Sequence, residues 1–141
     1  MQSFRGSGAR ASVLVALVLA LAACSAPSGW TQTPFAREAS DAGSTLSAAA
    51  ELLEAAHTGR LTNRYVRGAF VNLSEQVEGV DSKLPTLEGR PDDATVASLA
   101  AGVRAAQPVL ASPCVDTGCD WHAQVDTLRS TADKLSKAAE A

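Results

Sequence analysis

Apolar residues recur at alternating steps of four and three along two long segments, and this spacing constrains the fold most. The two sets are Phe35, Ala39, Ala42, Leu46, Ala49, Leu53 and Ala56, then Val66, Phe70, Leu73, Val77, Val80 and Leu84. Such steps place side chains on one stripe of a helix that packs nearly parallel to its neighbours. From residue 24 onward, the sequence has no alternating pattern long enough for a strand. The chain is therefore predicted to be all-α.

Residues that commonly begin or end helices lie at the boundaries of these two segments. Thr33 is suited to cap the first helix, Pro34 to occupy its first turn, and Gly59 to end it. Thr62 is a candidate cap for the second helix, which the apolar spacing extends to Leu84. The first 60 residues after position 24 thus predict two long helices joined by a short loop.

Two further segments repeat the pattern. The third helix opens at residues 91–93, a proline and two aspartates, and the fourth follows residues 117–120, which are close to a capping box. Their stripes are Val96, Leu99, Val103, Ala106 and Leu110, then Trp121, Val125, Leu128, Ala132 and Leu135. Pro108 is expected to kink or end the third helix. Because the connections are short, we predict an antiparallel up-down-up-down four-helix bundle over residues 35–141. A looser helical array and an extended coiled coil are the alternatives.

The N-terminus has the parts of an export signal. Arg5 and Arg10 precede residues 11–23, an apolar run in which only Ser12 is polar. A run of this length is short of the roughly 20 residues that span a bilayer, and it fits a secretory signal better. The stretch Leu21-Ala22-Ala23-Cys24 resembles the lipobox of bacterial lipoproteins.

This resemblance implies a lipid anchor. Residues 1–23 would be removed, and Cys24 would carry a diacylglyceryl group with fatty acids such as palmitate on its sulfur, with or without further acylation of its amino group. Residues 24–34 would be the lipidated N-terminus and a flexible tether, because residues 25–34 are polar and rich in turn formers. The expected location is the extracytoplasmic face of the cell membrane, or the outer membrane in a host that has one. An ordinary cleaved signal is the alternative.

Charge argues against a nucleic-acid partner. The chain has 12 basic and 15 acidic residues. Arg5 and Arg10 would leave with the signal, so the net charge would move from −3 to −5. Nucleic-acid surfaces need clustered lysine and arginine, whereas here both signs are scattered.

The remaining cysteines predict a short disulfide. Cys114 and Cys119 are separated by four residues, and export would place them where disulfides persist. A metal or redox site at this pair is the alternative.

One end of the predicted bundle collects the candidate binding residues. Arg60 and Arg64 are candidates for contact with an acidic partner, such as an envelope protein or a cell-wall component. The other interpretation pairs them with Glu51 and Glu54 across the helices. Trp121 is either a cap on the core or a platform for a ligand.

Other site chemistries are less well supported. Glu54, His57, His122 and Asp126 are the candidate metal ligands, and bis-histidine ligation of haem by His57 and His122 is a further alternative. We predict no cofactor, because the chain has no C-x-x-C-H motif. Nucleophile and phosphate-binding motifs are also absent from the sequence. The sequence predicts a non-enzymatic interaction or structural module of the cell envelope, with a small-ligand or metal carrier as the alternative.

Overall fold

The computed structural model describes residues 32–141, and most of them are helical. The long helices are α1 (Pro34–His57), α2 (Asn63–Val77), α4 (Asp93–Ala111) and α5 (Trp121–Glu140), with a four-residue helix α3 (Val80–Lys83) and a 3₁₀ turn (Leu84–Thr86) after α2. No strand occurs in this range, so the predicted all-α class is confirmed. The predicted signal peptide, Cys24 and most of the predicted tether lie outside the described residues.

Each long helix begins at a residue whose side chain caps it. The capping bonds run from Ala36 N to Thr33 Oγ1 (3.1 Å), from Tyr65 N to Thr62 Oγ1 (3.3 Å), from Thr95 N to Asp92 Oδ1 (2.9 Å) and from Ala123 N to Asp120 Oδ1 (3.0 Å). The capping box over residues 117–120 is wrong in one respect, because Asp120 rather than Thr117 is the cap. Gly118, which lies between Thr117 and Asp120, has a left-handed φ of 99°, and the helix begins only at Trp121.

The second predicted helix is interrupted. α2 ends at Val77, and Gly79 adopts a left-handed φ of 75° before α3 begins. Val80 and Leu84 nevertheless remain buried beside the rest of the stripe. The apolar spacing therefore predicted which residues are buried, whereas the continuous helix to Leu84 is wrong because the glycine reorients the chain. Pro108, by contrast, does not end α4, which continues to Ala111.

One apolar core joins the long helices. α1 packs against α2 and α5, α4 packs against the same two helices, and the interface between α1 and α5 is the most extensive. Every predicted stripe residue is buried except Ala56, Leu73 and Trp121, which are partly buried against the same core. The start of α1 is held by Phe35 N, which donates to Glu88 O at 3.1 Å.

Small residues allow α5 to approach both α1 and α4 closely. A Cβ atom at Gly43 would come within 3.2 Å of the backbone oxygen of Ala132 in α5. A Cβ atom at Gly102 in α4 would come within 3.2 Å of the Thr131 side chain. Close packing at these points compensates for the scarcity of large aromatic residues, which make up 4% of the chain. Within residues 32–141, no helix is both long enough and apolar enough to cross a bilayer.

Candidate functional site

A stack of three aromatic rings lies where α1 ends and α5 begins. The rings of His57 and Trp121 are nearly parallel, at an angle of 6°, with centroids 4.4 Å apart. The Trp121 and His122 rings lie 3.7 Å apart at 28°. Two rings this near the same indole cannot share one face, so the two imidazoles cover both of its faces. Trp121 is also partly buried against the core.

His57 is tied to the loop before α5. Its Nε2 lies 2.6 Å from the backbone oxygen of Cys114. A carbonyl oxygen only accepts hydrogen bonds, so His57 carries a proton on Nε2 and donates it. This nitrogen is therefore unavailable to a metal ion.

The loop from residue 112 to residue 120 is closed by its cysteines. The sulfur atoms of Cys114 and Cys119 lie at disulfide distance, with Cα atoms 5.9 Å apart, as the sequence predicted. Cys114 is buried and Cys119 is exposed. Gln124 fastens the loop to α5, because its Oε1 accepts from Cys114 N at 2.7 Å and its Nε2 donates to Ser112 O at 3.3 Å.

The same loop is joined to the first two turns of α2. Asp116 accepts a charged hydrogen bond from Arg67 and a longer one, at 3.5 Å, from Asn63. The contacts of Asp116 and Gln124 could not be predicted from the sequence, because helical periodicity carries no information about which polar side chains bond to a loop or to a neighbouring helix.

The surroundings of the two candidate arginines, Arg60 and Arg64, differ from those that the sequence predicts. Glu54 pairs with Arg129 of α5 at 2.7 Å, so the pairing of Glu54 with Arg60 or Arg64 is wrong. Arg60 precedes α2 and donates to Thr58 Oγ1 at 3.1 Å. Among residues 32–141, neither Arg60 nor Arg64 has an ion-pair partner within 4.0 Å.

Arg60 also lines a shallow groove of about 520 Å³ at the end of α1. Glu51 and Glu54 line it as well, together with Leu52, Ala55 and Leu61. The groove therefore combines two carboxylates and the guanidinium of Arg60 with apolar side chains. Such a surface suits a polar segment of a protein better than a small apolar molecule.

The four candidate metal ligands are not assembled. No group of three or more histidine, cysteine, aspartate or glutamate side chains suitable for a metal lies within the described range. Glu54 is paired with Arg129, and the indole of Trp121 separates His57 from His122. The two imidazoles therefore cannot ligate one ion between them, and Asp126 joins no such group.

Comparison of the chain with protein-family models, with curated proteins and with solved structures found no match.

Proposed function

We propose that this protein is a lipid-anchored bacterial lipoprotein whose exported part is a non-enzymatic interaction module of the cell envelope. The lipobox-like stretch that ends at Cys24 carries this proposal. The sulfur atoms of Cys114 and Cys119, at disulfide distance, support export, because disulfides persist in oxidising compartments and are rare in the cytosol. The anchor is on the extracytoplasmic face of the membrane.

We propose further that the four long helices form an antiparallel up-down-up-down bundle. Two contacts between α1 and α5 support opposite directions, because Glu54 lies beside Arg129 whereas Gly43, earlier in α1, lies beside Ser136, later in α5. The five-residue connection between α1 and α2 also favours antiparallel neighbours. In this arrangement the ring stack and the loop disulfide lie at the end of the bundle opposite to the start of α1.

The partner surface at this end is centred on Arg60 and Arg64. Their charges have no intrachain ion pair among the described residues, on a chain that is acidic overall. We propose that they contact an acidic surface of an envelope protein. Trp121 contributes its ring edges, because both faces are covered by imidazoles.

The anchor is tested with the full chain, expressed in a bacterium that processes lipoproteins. We expect the protein in the membrane fraction, with incorporated labelled palmitate, and we expect Cys24→Ala to lose both. Cys119→Ser is the matched control and should keep both, because it leaves the lipobox intact. A wild-type protein without label that is released as a soluble species would contradict the anchor.

The partner surface is tested by crosslinking in intact cells. The double variant Arg60→Glu and Arg64→Glu should lower the yield of the crosslinked partner at least about tenfold. The matched control, Arg37→Glu and Arg90→Glu, reverses two exposed charges elsewhere in the described chain and should leave the yield unchanged. Equal losses in both variants, or none, would exclude this surface. Crosslinks to a cell-wall polymer instead of a protein would show that the partner is the polymer.

A further inference from the structure

The outward face of α2 carries a second row of residues at helical spacing. Arg64, Gly68, Val71 and Glu75 follow at steps of four, three and four, so they form one line along the helix. All four are exposed. The buried residues of α2 belong to a different row, which consists of Val66, Phe70 and Val77. The row from Arg64 to Glu75 is therefore free of the core.

The middle of this row has a feature that the monomer does not require. Among the described residues, a Cβ atom at Gly68 would meet no atom within 4 Å, although a glycine inside a helix is destabilising relative to alanine. A groove of about 540 Å³ lies at this position, and Arg64, Tyr65 and Ala69 help to line it. Val71, one turn along, is 59% exposed. A gap and an exposed apolar side chain thus lie side by side.

The row is complementary to itself when its direction is reversed. Arg64 and Glu75 are equally distant from its midpoint, and so are Gly68 and Val71. Two antiparallel copies would therefore place each Arg64 opposite Glu75 of the other copy, and each Val71 over Gly68 of the other copy. A two-fold interface requires such reciprocity, in which residue i contacts j and residue j contacts i. Within the described chain, neither Arg64 nor Glu75 has an ion pair.

We propose that α2 is a self-association surface that pairs with α2 of a second copy in an antiparallel, two-fold-symmetric dimer. A second copy supplies all four complementary positions at once, whereas an acidic partner that covered the whole row would leave Glu75 facing like charge. One helix face buries less than the roughly 1,600 Å² of a standard interface, so the dimer dissociates reversibly. The inference goes beyond the proposed function and does not depend on the lipid anchor.

The test measures the dimer dissociation constant of the full-length protein in detergent by sedimentation equilibrium. Arg64→Glu and Glu75→Arg each create two like-charge pairs, and each should raise the dissociation constant at least about tenfold. The double reversal should restore the wild-type value. A mixture of the two single variants should form heterodimers, because every facing pair is then of opposite charge.

Gly68→Leu separates association from folding. Leucine fills the gap that receives Val71 of the other copy, so the dissociation constant should rise at least about tenfold. The thermal midpoint of the monomer should not fall, because a Cβ atom there would meet no atom of residues 32–141 within 4 Å. Lys137→Glu on α5 is the control for a change of charge and should leave the dimer intact.

Three results would overturn the proposal. They are a wild-type protein that stays monomeric up to about 1 mM, a dimer that is insensitive to Gly68→Leu, and a double reversal that fails to restore association. Gly68→Leu and Glu75→Arg leave Arg60 and Arg64 in place, so the crosslinking assay for the envelope partner distinguishes failure of this inference from failure of the proposed function.

Discussion

At the scale of single residues, two helical glycines have opposite surroundings. A Cβ atom at Gly43 would approach the Ala132 backbone oxygen to 3.2 Å, whereas one at Gly68 would have no neighbour within 4 Å in the described part of the chain. We expect Gly43→Ala to lower the free energy of unfolding by about 1 to 2 kcal/mol, because α1 and α5 must separate. Gly68→Ala should raise it by about 0.5 to 1 kcal/mol, because alanine favours the helix. Urea unfolding of the full chain measures both, and equal effects would contradict the close approach of α1 to α5.

The cap of α4 predicts a dependence of stability on pH. The pKa of Asp92 is lowered below its ordinary 3.8, first by the hydrogen bond from Thr95 Oγ1 at 2.7 Å and then by that from Thr95 N at 2.9 Å. A lowered folded-state pKa contributes stability that is present above 3.8 and is lost as the pH falls through the folded-state value.

Asp92→Asn should therefore flatten part of the loss of stability in acid below about pH 4, because asparagine caps the helix without titrating. The free energy of unfolding, measured from about pH 2 to 5, tests this expectation. Asp93→Asn leaves the cap in place and should keep the steeper wild-type slope. If the free energy of unfolding falls equally steeply with pH in the wild type and in Asp92→Asn, the ionisation of Asp92 does not contribute to acid sensitivity in this range.

At the scale of helices, the junction between α2 and α3 depends on one backbone conformation. Gly79 has a φ of 75°, which residues with a Cβ atom rarely adopt. We expect Gly79→Ala to lower the free energy of unfolding by about 1 kcal/mol and Gly79→Asn to lower it less, because asparagine tolerates this region better. Urea unfolding compares the two variants. An alanine variant as stable as the wild type would mean that α2 and α3 can join into one helix.

At the scale of the whole molecule, the loop disulfide restricts the number of conformations that the unfolded chain can adopt. The double variant Cys114→Ser and Cys119→Ser should lose about 2 kcal/mol, the value expected for so short a closed loop. Denaturant unfolding with and without a thiol reductant measures this loss. The reductant should bring the wild type to the level of the variant and leave the variant unchanged. If the reductant destabilises both equally, its effect does not come from this bond.

The sequence was sufficient for the helical class and the buried stripes, but not for the charged contacts. Periodicity identifies the buried face of a helix, because each turn repeats the same environment. The partner of Glu54 could not be identified in this way, since Arg129 is 75 residues away and several cations are compatible with an acidic side chain. The sandwich of Trp121 between His57 and His122 likewise required the ends of two helices to meet.

The amino-acid sequence by itself determined where the long helices begin, which faces are buried and which two cysteines are near enough to bond, because spacing, capping residues and short separations act locally. The tertiary structure alone decided the break at Gly79, the ion pair between Glu54 and Arg129, and the covering of both faces of Trp121. These features depend on contacts between residues far apart in the chain. Many such pairings satisfy the same local rules, and packing around one core selects among them.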